Sequence, residues 1–315
     1  MTTTSFGRGT AHGKIILLGE HSVVYHEPSI AIPFKAATIE ALVTPHNQPS
    51  THIDCDFYHG LLEDMPELLE SLKETIKVCL KQLNQEDQHL KISINSHIPA
   101  ERGMGSSAAV SVATTRALFD YFNQELTQDT LLSIVDISEH IAHGNPSGLD
   151  ALMTSSDTPY FYTKGQPFKA LTLNLEAVLI VGDTGITGQT KEAVNHIAQQ
   201  LSSERANIVQ QHITDLGRLA REAQYDLEHN QPAALGEKMN HVHQHLQALG
   251  VSSQELDSLV EAARKKGALG AKLTGGGMGG CMIALASDKN SAHVISKALL
   301  DSGAANTWLY EMSET

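Results

Sequence analysis

The alternation of apolar and polar positions predicts a chain of mixed strands and helices. Short apolar or alternating runs typical of strands lie at 14–18, 38–43, 90–95, 177–182, 269–273, 281–286 and 307–312. Apolar residues at helical spacing predict helices at 67–83, 106–122, 127–143, 191–201, 206–229, 232–249, 254–266 and 290–300. Because strands and helices do not alternate strictly, the pattern favours an α+β architecture over a doubly wound sheet.

Turn-forming residues divide this pattern. Gly144-Asn145-Pro146 ends the helix predicted at 127–143, and Thr127 is its predicted N-cap. The segment 155–166 is rich in Ser, Thr, Pro and Gly, and we place a domain boundary just after it, near Asn174. Since 315 residues suffice for about two domains, we predict domains 1–174 and 175–315.

A glycine-rich segment stands immediately before the helix predicted at 106–122. It comprises residues 102–108, with the sequence Arg-Gly-Met-Gly-Ser-Ser-Ala, and we name it the phosphate loop after the ligand that it is predicted to bind. Glycines let the backbone approach a ligand, and the start of a helix presents N–H groups and partial positive charge that suit phosphate. The alternative is an ordinary turn with a serine N-cap. The segment matches neither the P-loop, because no Lys follows, nor the dinucleotide spacing.

Composition and charge narrow the choice of partners. The chain has 36 acidic and 22 basic residues, a net charge of −14, so it repels nucleic acid and anionic membrane surfaces. We expect no membrane span and no signal peptide, because the long apolar runs that these need are missing. Cys55, Cys79 and Cys281 are odd in number and far apart, which argues against a disulfide framework. A cytoplasmic protein with small-molecule ligands fits these features.

Three further segments carry motifs that belong with the phosphate loop. They lie at 11–21, 139–150 and 272–281, and the last contains the glycine run 275–280. In this order, the four segments resemble those of the GHMP kinases, which transfer the γ-phosphate of ATP to small alcohols or phosphates. The resemblance implies a ribosomal-protein-like N-terminal domain, a ferredoxin-like C-terminal domain and an active site in the cleft between them.

Within this family, three stretches favour the branch that phosphorylates the primary hydroxyl of mevalonate, a step of isoprenoid synthesis. They are 19–25, 31–33 and 143–150. The alternatives are another GHMP kinase and a non-catalytic ligand sensor. Phosphomevalonate should require more basic groups, and a sugar kinase should have an Asp where Val23 stands. A sensor should have lost the chemical residues that this chain retains. The resemblance also implies a homodimer.

The resemblance assigns chemistry to four residues. Asp150 would lie beside Lys14, stay ionised there, and accept or orient the proton of the substrate hydroxyl. Lys14 would stabilise charge on the transferring phosphoryl group. Ser107 and Glu139 would hold Mg²⁺, which prefers oxygen ligands. The alternatives are a structural ion pair for Asp150 and a solvated helix acid for Glu139.

The resemblance also assigns the binding sites. Glu20, His21 and Ser147 would lie on the mevalonate side, although Glu20 and His21 could instead organise Lys14 or, for His21, be purely structural. Glu101 and Arg102 stand where many family members have small residues. Glu101 should point to solvent, and Arg102 could reach phosphate oxygens. ATP would be bound by Ser96, Arg102, Gly103, Met104, Gly105, Ser106, Ser107 and Ala108.

Other candidate segments are less specific. The turn at 183–191, with Thr190 as the predicted N-cap of the next helix, could touch substrate, and the glycine run could support the cleft or form a tight strand turn. His241 and His245 share a helix face with no evident third ligand, which favours a polar helix face over a zinc site.

Overall fold

The computed structural model describes residues 6–47, 50–86, 88–143 and 147–313. The predicted breaker Gly144-Asn145-Pro146 therefore lies outside the described residues. The chain divides into two compact units. The first unit comprises Met1–Gly13, Ala37–Ala100 and Gly105–Ser156. The second unit comprises Lys14–Ala36, Glu101–Met104 and Asp157–Thr315.

The first unit combines a small sheet with four described helices. Strand β5 pairs antiparallel with residues Ile39–Pro45 and parallel with β3, which forms a hairpin with β4. The strands β1 (Gly7–Leu18) and β2 (Pro28–Pro45) are divided between the units. The other elements are β3 (His52–Cys55), β4 (Tyr58–Leu61), a 3₁₀ turn (Glu67–Leu69), α1 (Glu70–Gln82), β5 (Leu90–Ser96), α2 (Ser106–Tyr121), α3 (Gln128–His143) and α4 (Leu149–Ser155).

Helix α2 is the central helix of the first unit. It packs against α1, α3 and α4. Its small residues, such as Ala109 and Ala113, are fully buried and let neighbouring helices approach closely. Helix α1 buries one face through Leu72, Ile76 and Leu80, at the spacing of one helix stripe. The helix that follows the phosphate loop is therefore held by packing along most of its length.

The second unit contains a four-stranded antiparallel sheet in the order β11-β8-β10-β9. Helices α7 and α8 pack on β9, and α9 packs on β8 and β11. Strand β6 pairs with residues Pro28–Ala31 and with β7. The elements are a 3₁₀ turn (Ser22–Tyr25), β6 (Tyr160–Thr163), β7 (Lys169–Ala170), β8 (Val178–Asp183), α5 (Thr190–Leu201), α6 (Ala206–Glu228), α7 (Pro232–Ala248), α8 (Gln254–Lys265), β9 (Gly270–Thr274), β10 (Cys281–Ala286), α9 (Lys289–Asp301) and β11 (Asn306–Glu311).

The structure confirms the predicted α+β class and one predicted helix cap, and it corrects two local predictions. Thr127 accepts a hydrogen bond from the Thr130 N–H at 3.2 Å, so its predicted capping role is confirmed. Thr190 is not an N-cap, because Gln189 occupies that position and Thr190 is the first helical residue. Asp150 lies in the first turn of α4 rather than in a loop. The domain boundary near Asn174 stays a prediction.

Within the described part of the chain, no helix combines the length and the apolar character that crossing a bilayer requires.

Candidate active site

The phosphate loop turns sharply and ends at the start of α2. Gly105, with φ of 72°, is the N-cap of this helix, and its carbonyl accepts the first helical bond from the Ala109 N–H at 3.0 Å. The N–H groups of Ser106, Ser107 and Ala108 precede that bond and therefore point out of the helix. Since the cap is Gly105, the serine-cap alternative is wrong. The helix start thus presents N–H groups and two half-buried serines.

Glu139 lies on α3, which packs against α2. Its side chain is buried, with 3% of the residue exposed, so the alternative of a solvated helix acid is wrong. The neighbouring hydroxyls of Ser138 and Ser111 share a buried hydrogen bond of 2.7 Å that joins the two helices. A buried carboxylate on α3 and a hydroxyl at the start of α2, Ser107, are oxygen donors of the kind that Mg²⁺ prefers.

Three other predicted residues of the first unit occupy the ends of elements. Asp150 is half-buried in the first turn of α4. Ser147 is exposed, and its hydroxyl accepts a hydrogen bond from the Leu149 N–H at 3.3 Å. The Ser96 hydroxyl donates to the Ile98 carbonyl at 2.9 Å and stabilises a turn after β5. Their roles toward substrate and nucleotide stay predictions.

Lys14 lies on β1 within the second unit and is buried, with 7% of the residue exposed. Its backbone N–H donates to the carbonyl of Met104 at 3.0 Å. This bond joins β1 to the phosphate loop. The strand that carries the predicted catalytic lysine therefore also holds one end of the loop predicted to bind ATP.

Glu20 and Lys272 form an ion pair whose side chains are both fully buried. Lys272 donates to Glu20 and, at 2.8 Å, to the carbonyl of Leu273. Burial raises the pKa of the Glu20 carboxyl, and the charge of Lys272 opposes that rise. Burial likewise lowers the pKa of the Lys272 ammonium, and the Glu20 charge opposes that fall. The pair anchors the segment after β1 to β9.

His21 is buried and neutral at pH 7. Burial lowers its pKa to about 4. Its Nε2 lies 3.0 Å from the carbonyl oxygen of Gly276, which can only accept, so Nε2 carries the proton. The other ring nitrogen, Nδ1, is therefore a hydrogen-bond acceptor. This tautomer suits contact with a hydroxyl group.

Arg102 directs its guanidinium to the 183–188 loop, which begins at Asp183, the last residue of β8. Nε donates to Asp183 at 3.0 Å, Nη1 to the Thr187 hydroxyl at 2.9 Å and Nη2 to the Gly185 carbonyl at 2.8 Å. All three guanidinium nitrogens thus donate to the protein. Direct contact of Arg102 with phosphate stays a prediction. Glu101 is exposed, as expected for an acid at this position.

Gly276 lies in the glycine run in a position that has no room for a side chain. A Cβ there would lie 1.9 Å from the Oγ1 and 2.8 Å from the Cα of Thr190. We expect Gly276→Ala to lower the free energy of unfolding by ~1–3 kcal/mol, the usual cost of overpacking. Chemical denaturation measures this change.

Gly188→Ala is the matched control, because the nearest atom to a Cβ at Gly188 is the Glu101 carbonyl oxygen at 3.5 Å, an ordinary contact. Equal stability of the Gly276 and Gly188 variants would contradict the packing argument.

Two histidines of α7, His243 and His245, have protein partners. His243 is buried and lies 3.1 Å from Asp257, while the Nδ1 atoms of His245 and His212 lie 2.8 Å apart. Across the described ranges, no group of three His, Cys, Asp or Glu residues could hold a metal ion. The cysteines Cys55, Cys79 and Cys281 are free thiols.

Comparison with known proteins gives this arrangement a family. The model of the GHMP kinases N terminal domain matches residues 70–156, and that of the GHMP kinases C terminal domain matches residues 205–305. The mevalonate kinase of Thermococcus sibiricus is 37% identical over 303 residues, 90% of each chain. The chain belongs to the GHMP kinases. Like other GHMP kinases it has a two-domain α+β fold, and it is a kinase that uses ATP.

Two solved structures resemble this GHMP kinase over almost its whole length. Mevalonate kinase from methicillin-resistant Staphylococcus aureus is 33% identical, with a TM-score of 0.79, covering 98% of this chain and 100% of that one. The L. major mevalonate kinase in complex with R-mevalonate is 26% identical, with a TM-score of 0.85, covering 98% and 97%.

Sequence reasoning missed two charged partners in this GHMP kinase. Lys272 lies between Ala271 and Leu273 in the predicted strand at 269–273. A cation inside an apolar strand indicates a buried acidic partner, and this was the signal that the sequence offered. Asp183 was noted only as part of a turn. Each pairs with a residue far away in the sequence, Glu20 and Arg102 respectively.

Proposed function

We propose that this chain phosphorylates the primary hydroxyl of mevalonate with ATP and so acts in isoprenoid synthesis. The observation that carries the proposal is the similarity to mevalonate kinases along 90% of both chains. The chain also retains Lys14, Ser107, Glu139 and Asp150, each at its motif position. The alternative is another GHMP kinase activity, on phosphomevalonate or a sugar, and a comparison of turnover on these substrates tests it.

The phosphate loop is proposed to bind the phosphates of ATP. The N–H groups of the first turn of α2 point toward an anion at the helix start, where the helix dipole is positive. Ser106 and Ser107 add hydroxyl donors at the same end. This local positive end offsets the net charge of −14, which would otherwise repel ATP.

Ser107 and Glu139 are the residues proposed to hold Mg²⁺. Held there, Mg²⁺ would supply positive charge beside the phosphates of ATP. The fit rests on donor chemistry, because a hydroxyl and a buried carboxylate lie on two helices that pack together. Few protein ligands suffice, since Mg²⁺ keeps several waters.

Glu139→Gln is expected to raise the Mg²⁺ concentration for half-maximal activity about tenfold or more, the scale seen when ligand support is lost. A magnesium titration of initial rates measures it. Asp136→Asn is the control, because Asp136 lies on the same helix with a side chain that is 52% exposed. A Glu139→Gln titration that superimposes on the wild-type curve would remove Glu139 from the metal site.

Lys14 and Asp150 are proposed to carry the chemistry. The substrate hydroxyl oxygen bonds to the γ-phosphorus while the bond from that phosphorus to the β,γ-bridging oxygen breaks, and ADP leaves. The hydroxyl proton passes to the Asp150 carboxylate. Lys14 stabilises the negative charge on the transferring group. The transition state is loose, so little of the hydroxyl proton has to be removed before that state is reached.

His21, Glu20 and Ser147 are proposed to serve the substrate side. The neutral His21 ring has an acceptor at Nδ1 that can receive a hydroxyl hydrogen. Glu20 is fully buried and bonded to Lys272, so its part is to shape this segment. Ser147 is exposed and offers a further hydroxyl.

We also propose a cytoplasmic location, a homodimer, and a division into nucleotide-binding residues 1–174 and a second domain, 175–315.

The test of this function is ADP release from ATP and magnesium, coupled to a spectroscopic signal, on a panel of mevalonate, phosphomevalonate, galactose and homoserine. We expect turnover on mevalonate alone. Turnover on another member instead would retain the kinase and overturn the substrate. Bound ATP without turnover on any member would favour the sensor.

A further inference from the structure

The guanidinium of Arg102 makes hydrogen bonds within the protein that a role in direct phosphate binding does not explain. Its three donors reach a carboxylate, a hydroxyl and a carbonyl, all on the 183–188 loop, at 2.8–3.0 Å. A guanidinium has a rigid planar set of donors, so three bonds to one loop define the position of both partners. Sequence alone suggests an arginine that reaches for ATP; the geometry shows one turned toward its own protein.

The same two segments are joined by their backbones. The Gly188 N–H donates to the Glu101 carbonyl at 2.9 Å. On the other side, a Cβ placed on Gly103 would lie 3.3 Å from the Cα of Gly275, so the 101–104 segment also lies against the glycine run. The 183–188 loop is bonded to that run in turn, because the Thr184 hydroxyl donates to the Gly280 carbonyl at 2.7 Å.

Asp183 is the charged centre of this arrangement. Its side chain is 7% exposed and that of Arg102 is 16% exposed, so the pair is largely shielded from water. Asp183 also accepts the Gly185 N–H at 2.9 Å through the same oxygen that Arg102 contacts. A shielded carboxylate needs its cation, since an unpaired buried charge is strongly unfavourable.

We propose that Arg102 is a positioning residue, whose bonds to the 183–188 loop hold the 101–104 segment in the shape that binds ATP. Removing either member of the Arg102–Asp183 pair then releases the same segment. The proposal rests on the proposed function, in which the phosphate loop binds ATP. It departs from the sequence prediction, in which the guanidinium itself contacts phosphate.

The experiment compares Arg102→Met, Asp183→Asn and the double variant by calorimetric titration with ATP and magnesium, without any alcohol. We expect each single variant to weaken ATP binding about tenfold or more, as small misplacements of a site do, and the double variant to be no weaker than either. KM for ATP should rise while KM for mevalonate stays unchanged. Arg102→Lys should restore only part of the affinity, because an ammonium cannot make the three bonds.

Asp183→Asn is the decisive variant. If Arg102 contacts phosphate directly, Asp183→Asn frees the guanidinium and ATP binding stays the same or tightens, which would overturn the proposal. Wild-type affinity in Arg102→Met would overturn it as well. Thr187→Val, which removes one uncharged acceptor, should weaken binding by a smaller factor and serves if Arg102→Met fails to fold.

Arg218→Met is the matched control, because Arg218 pairs with Asp215 and Glu222 on the exposed face of α6. We expect unchanged ATP affinity in this variant. Failure of the proposed function gives a different result. The wild-type protein would then either bind no ATP or bind ATP without turning over mevalonate. Failure of the positioning role alone leaves both wild-type properties intact and the ATP affinity of the variants indistinguishable from that of the wild type.

Discussion

Asp150→Asn is expected to lower turnover at least ~100-fold, the scale of a positioned proton acceptor, while ATP binding and the fold persist. The amide has nearly the shape of the carboxylate but cannot take the hydroxyl proton. Asp150 is half-buried in the first turn of α4, and an Asn of the same size leaves no cavity there. Initial rates on mevalonate, with calorimetric ATP titration and circular dichroism, separate chemistry from binding and folding.

Asp157→Asn is the control for this variant. Asp157 follows shortly after α4 and pairs with Lys35 at 3.1 Å, with a side chain that is 77% exposed. We expect its turnover to match the wild type. Near-normal turnover of Asp150→Asn would instead leave only the alternative of a structural ion pair for this residue.

Lys272→Met is expected to destabilise the protein by ~3–5 kcal/mol, the cost of leaving one member of a buried ion pair without its partner. Lys272 and Glu20 are both fully buried, so no water can replace the lost ammonium at the Glu20 carboxylate. Because Glu20 then has to be neutralised by protonation, the loss should be smaller at acid pH than at neutral pH. Urea denaturation at several pH values measures both effects.

The double variant Lys272→Met with Glu20→Gln removes both charges and should be more stable than Lys272→Met alone, because no uncompensated ion remains. Lys297→Met is the control, since Lys297 and Asp301 form an exposed pair whose loss should not change stability measurably. A single variant as stable as the wild type, or a double variant less stable than the single one, would contradict the account of this pair.

Helices such as α1 were predictable because their burial follows a single face. Leu72, Ile76 and Leu80 repeat at helical spacing, and α1 forms where they occur. The strand β6 was missed because Tyr160–Thr163 lies inside a segment rich in Ser, Thr, Pro and Gly. Helix α4 was missed because its seven residues span too few turns to show a period.

The candidate site was predictable where its residues are neighbours in the sequence. The phosphate loop has its turn, its glycines and its helix start within consecutive positions, and the structure places them as expected. Pairings between distant residues were not predictable from one sequence. Glu20 and Lys272 are 252 positions apart, and Arg102 and Asp183 are 81 apart, so no local pattern links them.

The most direct test of the central claim is the identity of the product formed from R-mevalonate and ATP, read by proton-coupled ³¹P NMR. Mevalonate offers a primary and a tertiary hydroxyl, so the splitting of the new phosphomonoester signal reveals which one accepts the phosphoryl group. We predict a triplet, from coupling to the two protons of the adjacent CH₂. A singlet, from a tertiary ester, would contradict the claim. So would a spectrum with no new phosphomonoester signal, in which inorganic phosphate is the only product besides ADP.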